Sequence, residues 1–149
     1  MRIILAIILL SLAGRAAAQE CTGHPGPLRL IVSVENVRDS QGLIAVTLYP
    51  DDSSRFLAHH GSLYVGRVPA RAGTTRVCIF LPAPGTYALA VYHDANANRH
   101  IDRSGIGLPE EGYGFSNNAP ALFGLPSFGR VRLAVPRTGM TTAIRLRYP

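Results

Sequence analysis

Short apolar segments separated by turn residues constrain the fold of this chain most strongly. In Leu28–Val37 apolar residues alternate with Arg29, Ser33 and Glu35, which is the period of a half-buried strand. Similar segments, bounded by Gly, Pro, Asp or Ser, follow at 43–49, 63–68, 74–81, 86–92, 128–135 and 141–148. The pattern predicts an all-β fold, a seven-stranded antiparallel Greek-key β-sandwich with one long ordered loop at 93–126.

Two hairpins are predicted from the turns between these segments. Leu28–Val37 and Leu43–Tyr49 flank the polar turn 38–42, and Phe128–Val135 and Thr141–Tyr148 flank Pro136–Gly139. Strands that follow each other across a short turn commonly pair as hairpins. We therefore expect each of these two pairs to lie side by side in one sheet.

The first eighteen residues have the pattern of a Sec-type signal peptide. Arg2 is followed by the apolar run Ile3–Leu12 and then by Ala16, Ala17 and Ala18. The run is too short to cross a bilayer, which needs about 20 apolar residues. We expect cleavage after Ala18, which leaves residues 19–149 as one β-sandwich domain. The predicted location is the periplasm or the extracellular space.

All the positive charge counted at pH 7 comes from arginine, because the chain has no lysine. Loss of Arg2 and Arg15 with the signal peptide lowers the formal net charge from +6 to +4. The remaining arginines are scattered, and the spacing of Arg130 and Arg132, or of Arg145 and Arg147, is that of one strand face. A solvated sheet face explains this pattern better than a nucleic-acid surface. The expected partner is an unidentified ligand or an envelope component, and the pattern does not determine the oligomeric state.

Two cysteines, Cys21 and Cys78, remain after the predicted export. An even count in an oxidising compartment predicts one disulfide between them. The alternative is that Cys78 is a small buried residue and Cys21 a free thiol.

The end of the strand at Tyr87–Tyr92 leads into oxygen-bearing side chains at every second position. Asp94, Asn96, Asn98 and Asp102 match positions 1, 3, 5 and 9 of a calcium loop, and His100 would offer its carbonyl at position 7. Calcium, the candidate cofactor, takes six to eight such oxygens.

Two positions depart from this calcium pattern. Arg99 stands where the loop needs Gly, and Gly105 stands where it needs a bidentate Glu. Glu110 or Glu111 could supply the missing carboxylate by folding back. The alternative is a structural turn, because Asp and Asn bond to their own backbone and tolerate left-handed conformations.

A second candidate site is a ligand platform made of Tyr113, Phe115, Asn117 and Asn118. Aromatic faces with amide groups are a usual means of holding sugars or peptides. The alternative is that the aromatic residues cover the end of the sandwich while the two Asn residues make turns. No activated nucleophile or acid–base pair is recognisable, so we do not expect an enzyme.

The segment from Leu81 to Asn118 also carries a family resemblance. Its Leu-Pro-Ala-Pro-Gly-Thr-Tyr strand, its Asp-x-Asn-x-Asn and its Glu-Gly-Tyr-Gly-Phe-Ser-Asn-Asn resemble the bacterial domain-of-unknown-function family 2141. More loosely, the strand pattern is similar to transthyretin-like and immunoglobulin-like sandwich modules. The resemblance implies a small exported domain and no particular activity. The expected function is a non-enzymatic binding or interaction module. The alternatives are an accessory carbohydrate- or envelope-binding domain and, ranked last, a hydrolase.

Overall fold

The computed structural model describes residues 20–121 and 124–149 and contains two β-sheets. The signal-peptide prediction, with its cleavage site after Ala18, lies outside these residues. The strands are β1 Leu28–Val37, β2 Leu43–Pro50, β3 Tyr64–Pro69, β4 Gly73–Leu81, β5 Gly85–Asp94, β6 Tyr113–Phe115, β7 Leu133–Val135 and β8 Met140–Arg145. A 3-10 turn at Ser116–Asn118 and a one-turn helix, α1 at Phe128–Val131, complete the regular structure. Within the described ranges no helix is long and apolar enough to cross a membrane.

The smaller sheet has three strands in the order β4-β1-β8. Strand β1 runs antiparallel to β4 and parallel to β8. The fully antiparallel arrangement predicted from the sequence is therefore wrong at the β1–β8 pair. The chain enters β8 from β7, which lies in the larger sheet. No tight hairpin turn therefore joins β8 to β1 and forces the two strands to be antiparallel.

The larger sheet has the order β3-β2-β5-β6, with β7 also paired to β5. Strand β5 lies between β2 on one side and the two short strands β6 and β7 on the other. Residues 20–121 and 124–149 therefore contain eight strands, because the long loop contributes β6 and the segment 128–135 divides into α1 and β7.

Both predicted hairpins are wrong. Strands β1 and β2 lie in different sheets, and so do β7 and β8. The turns 38–42 and 136–139 therefore carry the chain from one sheet to the other. Alternation of apolar residues determines which face of a strand is buried, but it does not determine which strand lies alongside.

The main core lies between the two sheets. It collects the inward residues of both, including Leu30, Val32, Ile44, Leu89 and Ile144, each with no exposed surface. A second apolar cluster covers part of the outer face of the larger sheet. Its buried members are Tyr49, Ala88, Phe115, Ala119 and Val131, against which Phe56 and Phe128 pack. The segments that follow β2 and β6 therefore fold back over their own sheet.

The outer edge of β4 is covered by the N-terminal tail. The predicted disulfide between Cys21 and Cys78 is present. Beside it, Thr22 donates its N–H to the Cys78 carbonyl at 2.9 Å, and its own carbonyl accepts the N–H of Phe80 at 3.0 Å. A strand edge with unpaired backbone groups attracts other chains, and the tethered tail occupies part of this edge.

Candidate functional site

The long loop after β5 is held together by its own polar side chains. Asp94, fully buried at the end of β5, accepts the backbone N–H of Asn98 at 3.0 Å and of Arg99 at 2.8 Å. Arg99 has the left-handed φ of 68°. The turn thus takes the conformation for which a calcium loop uses Gly, with a side chain that tolerates it less well.

The other predicted oxygen ligands also face donors of the same loop. Asn96 and Asn98 donate their side-chain amides to the two carboxylate oxygens of Asp102, at 2.7 and 2.9 Å. Their own carbonyl oxygens accept the backbone N–H groups of Asn98 and His100 at 3.0 and 2.8 Å. These contacts are the Asx turns of the structural alternative.

Of the two neighbouring glutamates, Glu111 is the one that folds back into the loop. Its carboxylate is buried and accepts the backbone N–H of Ala95 at 2.9 Å and of Asp102 at 3.1 Å. Glu110 is exposed and contributes its backbone N–H, which donates to the Asp102 carbonyl at 2.9 Å. The carboxylate missing from the calcium pattern therefore comes close to the loop, but it bonds to backbone amides.

Together these contacts favour the structural turn over the cation site. Each side-chain oxygen of Asp94, Asn96, Asn98, Asp102 and Glu111 accepts a hydrogen bond from within the loop. In residues 20–121 and 124–149, no three His, Cys, Asp or Glu side chains converge to hold a metal ion. Calcium binding, which would also use Asn and carbonyl oxygens, is not tested by these contacts.

The predicted platform residues occupy different positions around β6. Tyr113 is half-buried, whereas Phe115 is only 5% exposed and belongs to the second apolar cluster. Asn117 donates to the carbonyls of Arg130 and Arg132 at 3.1 and 2.8 Å, so it ties the 3-10 turn to the segment at α1.

Asn118 acts as a short extension of the sheet edge at β8. Its side-chain oxygen accepts the N–H of Arg145 at 2.8 Å, and its amide group lies 3.5 Å from the Ala143 carbonyl. Next to it, Tyr113 and Arg147 exchange two backbone hydrogen bonds at 2.9 and 2.8 Å. Strand β6 and the residues after β8 thus connect the two sheets at this edge.

The two glycines of the Glu-Gly-Tyr-Gly-Phe run make this junction sterically feasible. A Cβ at Gly114 would lie 2.8 Å from the Ile144 side chain and 2.9 Å from the Arg145 carbonyl oxygen. At Gly112 it would lie 2.4 Å from the Tyr148 ring. Any side chain at these positions would push β6 away from β8.

A shallow depression forms where β6 meets β8. It is lined by Tyr113, Gly114, Phe115, Asn118, Ala119, Ala121, Arg145 and Arg147. Its cavity volume is about 10 Å³, room for roughly one water molecule and far below the 300–1,000 Å³ typical of enclosed small-molecule sites. A ligand here would lie against the surface.

The depression unites three of the four predicted platform residues and adds two charged residues that the platform prediction missed. Tyr113, Phe115 and Asn118 line it, and Asn117 does not. Arg145 and Arg147 are the additions, both exposed. Their spacing as alternate residues of one strand was visible in the sequence, but their position beside Tyr113 depends on the β6–β8 pairing.

The buried histidine near this region serves the fold. His93 Nε2 lies 2.8 Å from the carbonyl oxygen of Gln41, which can only accept, so Nε2 carries a proton. Its Nδ1 lies 2.9 Å from the Tyr148 hydroxyl. These bonds fasten the C-terminal residues and the turn 38–42 to the end of β5.

The chain matches the sequence model of one known family. The sequence model of the family described as "Uncharacterized protein conserved in bacteria (DUF2141)" matches residues 32–143. The chain belongs to this family. The resemblance seen in the sequence is thus confirmed, and the matched range includes β2 to β7 with the whole long loop. No curated protein and no solved structure matches the chain.

Proposed function

We propose that this protein is an exported, non-enzymatic binding module that holds a saccharide in the depression between β6 and β8. The observation that carries the proposal is that an aromatic residue, an asparagine and two arginines, Tyr113, Asn118, Arg145 and Arg147, line one depression. Aromatic faces and planar polar groups are a common combination for holding sugar rings. The transthyretin-like or immunoglobulin-like form of the sandwich is part of this proposal.

Tyr113 has the properties of a stacking surface. Its ring is half-buried and rests edge-on against Phe115, with ring centres 6.0 Å apart at 68°. Phe115 is itself fixed in the second apolar cluster, so Tyr113 is supported from below. A rigid aromatic side chain loses little conformational entropy when a ligand stacks on it.

Glu111 and Ser116 carry side chains that could suggest catalysis, but both side chains are hydrogen-bonded to the backbone of the fold. Both Glu111 carboxylate oxygens hold backbone amides, at 2.9 and 3.1 Å. The Ser116 hydroxyl is fully buried, donates to the Val131 carbonyl and accepts the Leu89 N–H at 3.0 Å. A general base or nucleophile must reach its substrate, so these engaged groups support binding over hydrolysis.

Export is supported by the disulfide between Cys21 and Cys78. Disulfides persist in the periplasm and outside the cell, whereas cytosolic thiols are kept reduced. This agrees with the signal peptide predicted at residues 1–18. An envelope or extracellular saccharide is therefore the class of ligand that the module would meet.

The test uses an array of defined saccharides, neutral and acidic, with the oxidised mature protein. We expect binding that Tyr113→Ala abolishes, while Leu63→Ala, which truncates an exposed side chain outside the depression, leaves it unchanged. Thermal melts are used to check that both variants fold. Absence of any saccharide binding at millimolar concentration contradicts the proposal, and equal binding by Tyr113→Ala places the ligand elsewhere.

A further inference from the structure

We infer that the ligand is a linear acidic polysaccharide that continues from the depression across the outer face of the three-stranded sheet. The inference rests on the proposed function and specifies its ligand. It is carried by four arginines that the strand register places on this one face: Arg29 of β1, Arg76 of β4, and Arg145 and Arg147 of β8 and the residues after it.

The outward direction of these arginines follows from the buried residues beside them. Val77 belongs to the core, and its neighbour Arg76 is exposed. Ile144 and Leu146 also belong to the core, so the exposed residues that alternate with them, Arg145 and Arg147, point outward. Arg29 is exposed between the buried residues Leu28 and Leu30.

The register gives the layout of this face, which we call the arginine face. Ser33 of β1 pairs with Arg76 on one side and with Ala143 on the other, and the next outward residue, Glu35, pairs with Arg145. Since Leu30 pairs with Met140, Arg29 lies level with Gly139. The distance from that level to Arg147 is about 26 Å at 3.3 Å per residue. The face is therefore long enough for several sugar rings in a row.

The electrostatics of the arginine face favour a polyanion. Its outward positions carry the four arginines and one carboxylate, that of Glu35. Among the described residues no acidic side chain lies within 4.0 Å of the Arg145 or Arg147 guanidinium. Arginine binds carboxylates through two parallel hydrogen bonds, so these two groups are suited to the acid groups of a uronate chain.

The spacing of charge distinguishes this ligand from nucleic acid. Four arginines over about 26 Å give roughly one positive charge per 6–7 Å, whereas duplex DNA carries one negative charge per about 1.7 Å. A polymer with one carboxylate every one or two sugar rings has a density closer to that of the face. Tyr113 at the end of the face supplies the ring contact that such a polymer needs.

The side chains between the arginines favour a polysaccharide over a membrane surface as the ligand of this face. The outward residues Ser33, Thr141 and Ala143 are small, which leaves the surface flat between Arg76 and Arg145. The large exposed apolar residues in the described ranges are Leu63, Ile106, Leu108 and Leu125, and none belongs to β1, β4 or β8. Stable attachment to a bilayer needs apolar insertion in addition to charge, and the outward apolar residues of this face, Ile31 and Phe80, are half-buried within it.

The experiment measures affinity for oligouronates of two and eight residues at low and high salt. The comparison ligands are a neutral octasaccharide, phosphatidylglycerol vesicles and a DNA duplex. We expect the octauronate to bind most tightly and to weaken with salt. Arg145→Ala should weaken it about fivefold, and the double variant Arg29→Ala/Arg76→Ala should weaken the octamer but not the dimer. Arg71→Ala removes the same charge from the exposed turn before β4 and should have no effect.

The outcomes separate this inference from the proposed function. Equal binding of the neutral and acidic octamers, lost in Tyr113→Ala but kept in the arginine variants, overturns the acidic ligand and leaves the saccharide site intact. Tighter binding of vesicles or DNA than of the octauronate also overturns it. If Arg29→Ala/Arg76→Ala leaves the affinity for the octamer unchanged, the ligand contacts the depression alone. That result overturns the extended path. If no saccharide binds, both the inference and the proposed function fail.

Discussion

The carboxylate of Asp94 accepts the backbone N–H of Arg99 at 2.8 Å, where the chain turns with a φ of 68° at Arg99. The acceptor is fully buried at the end of β5, and the residues it holds are exposed. A rigid strand thus fixes the start of a long surface loop. Glu111 does the same from the other end of the loop, through the N–H groups of Ala95 and Asp102.

Asp94→Ala should lower the free energy of unfolding by about 2–3 kcal/mol, because it removes the acceptor of two backbone hydrogen bonds at a buried position. Asp94→Asn keeps one acceptor oxygen and should cost less. Denaturant unfolding measures the difference. Glu110→Ala, at an exposed position, serves as the control and should change stability by no more than about 0.5 kcal/mol. Equal effects of the two alanine variants would show that the Asp94 contacts contribute little.

Calcium should not stabilise the protein more than magnesium does, because the oxygens that would bind it already accept hydrogen bonds within the loop. Thermal melts with each cation at tens of millimolar test this. A calcium-specific rise in Tm that Asp102→Asn removes would instead establish a cation site. Such a site would be weak, with a Kd on the order of 10⁻⁴ to 10⁻³ M, and would stabilise by about 2.7 kcal/mol at 100 times the Kd.

Reduction of the Cys21–Cys78 disulfide should lower stability by about 4 kcal/mol, since the bond closes a long loop across 57 positions. Unfolding in denaturant with and without a thiol reductant measures the loss. The double variant Cys21→Ser/Cys78→Ser is the control, and the reductant should not change its stability. Free thiols that alkylate fully in freshly exported native protein would refute the disulfide.

The folded state should lose stability as the pH rises above 10. Burial raises the pKa of Tyr49, Tyr87, Tyr92 and Tyr148 above the usual 10.0. The folded state therefore favours the neutral phenol, so this stability is complete below pH 10 and is lost as the pH rises through the higher folded values. Ultraviolet titration of tyrosinate should show ionisation delayed relative to the unfolded chain. Superimposable titrations of the folded and unfolded protein would contradict it.

Intact-mass analysis of the exported protein should give a chain that begins at Gln19, because the small residues Ala16–Ala18 precede the predicted cleavage site. Subcellular fractionation of the native host measures where this species lies. A substitution of Ala18 by a bulky residue should block processing, and the same substitution at His24, beyond the site, should not. A membrane-bound product that keeps residues 1–18 would refute the signal peptide.

The alternating segments and the turn residues between them were sufficient to predict strands, because burial of one strand face is a local property of the sequence. The same local reasoning found the Asp/Asn turn, whose hydrogen bonds join residues close together in the chain, such as Asp94 and Asn98. The cysteine pair could also be predicted, since two cysteines allow only one pairing.

Strand partners and the position of the proposed binding face were decided by the tertiary structure alone. In the sequence the turns 38–42 and 136–139 resemble hairpin turns. In the packed sandwich, each of them carries the chain from one sheet to the other. Arg145 and Arg147 became neighbours of Tyr113 only because Gly112 and Gly114 let β6 approach β8. Such contacts join residues some thirty positions apart, and their energy depends on three-dimensional packing that no local pattern encodes.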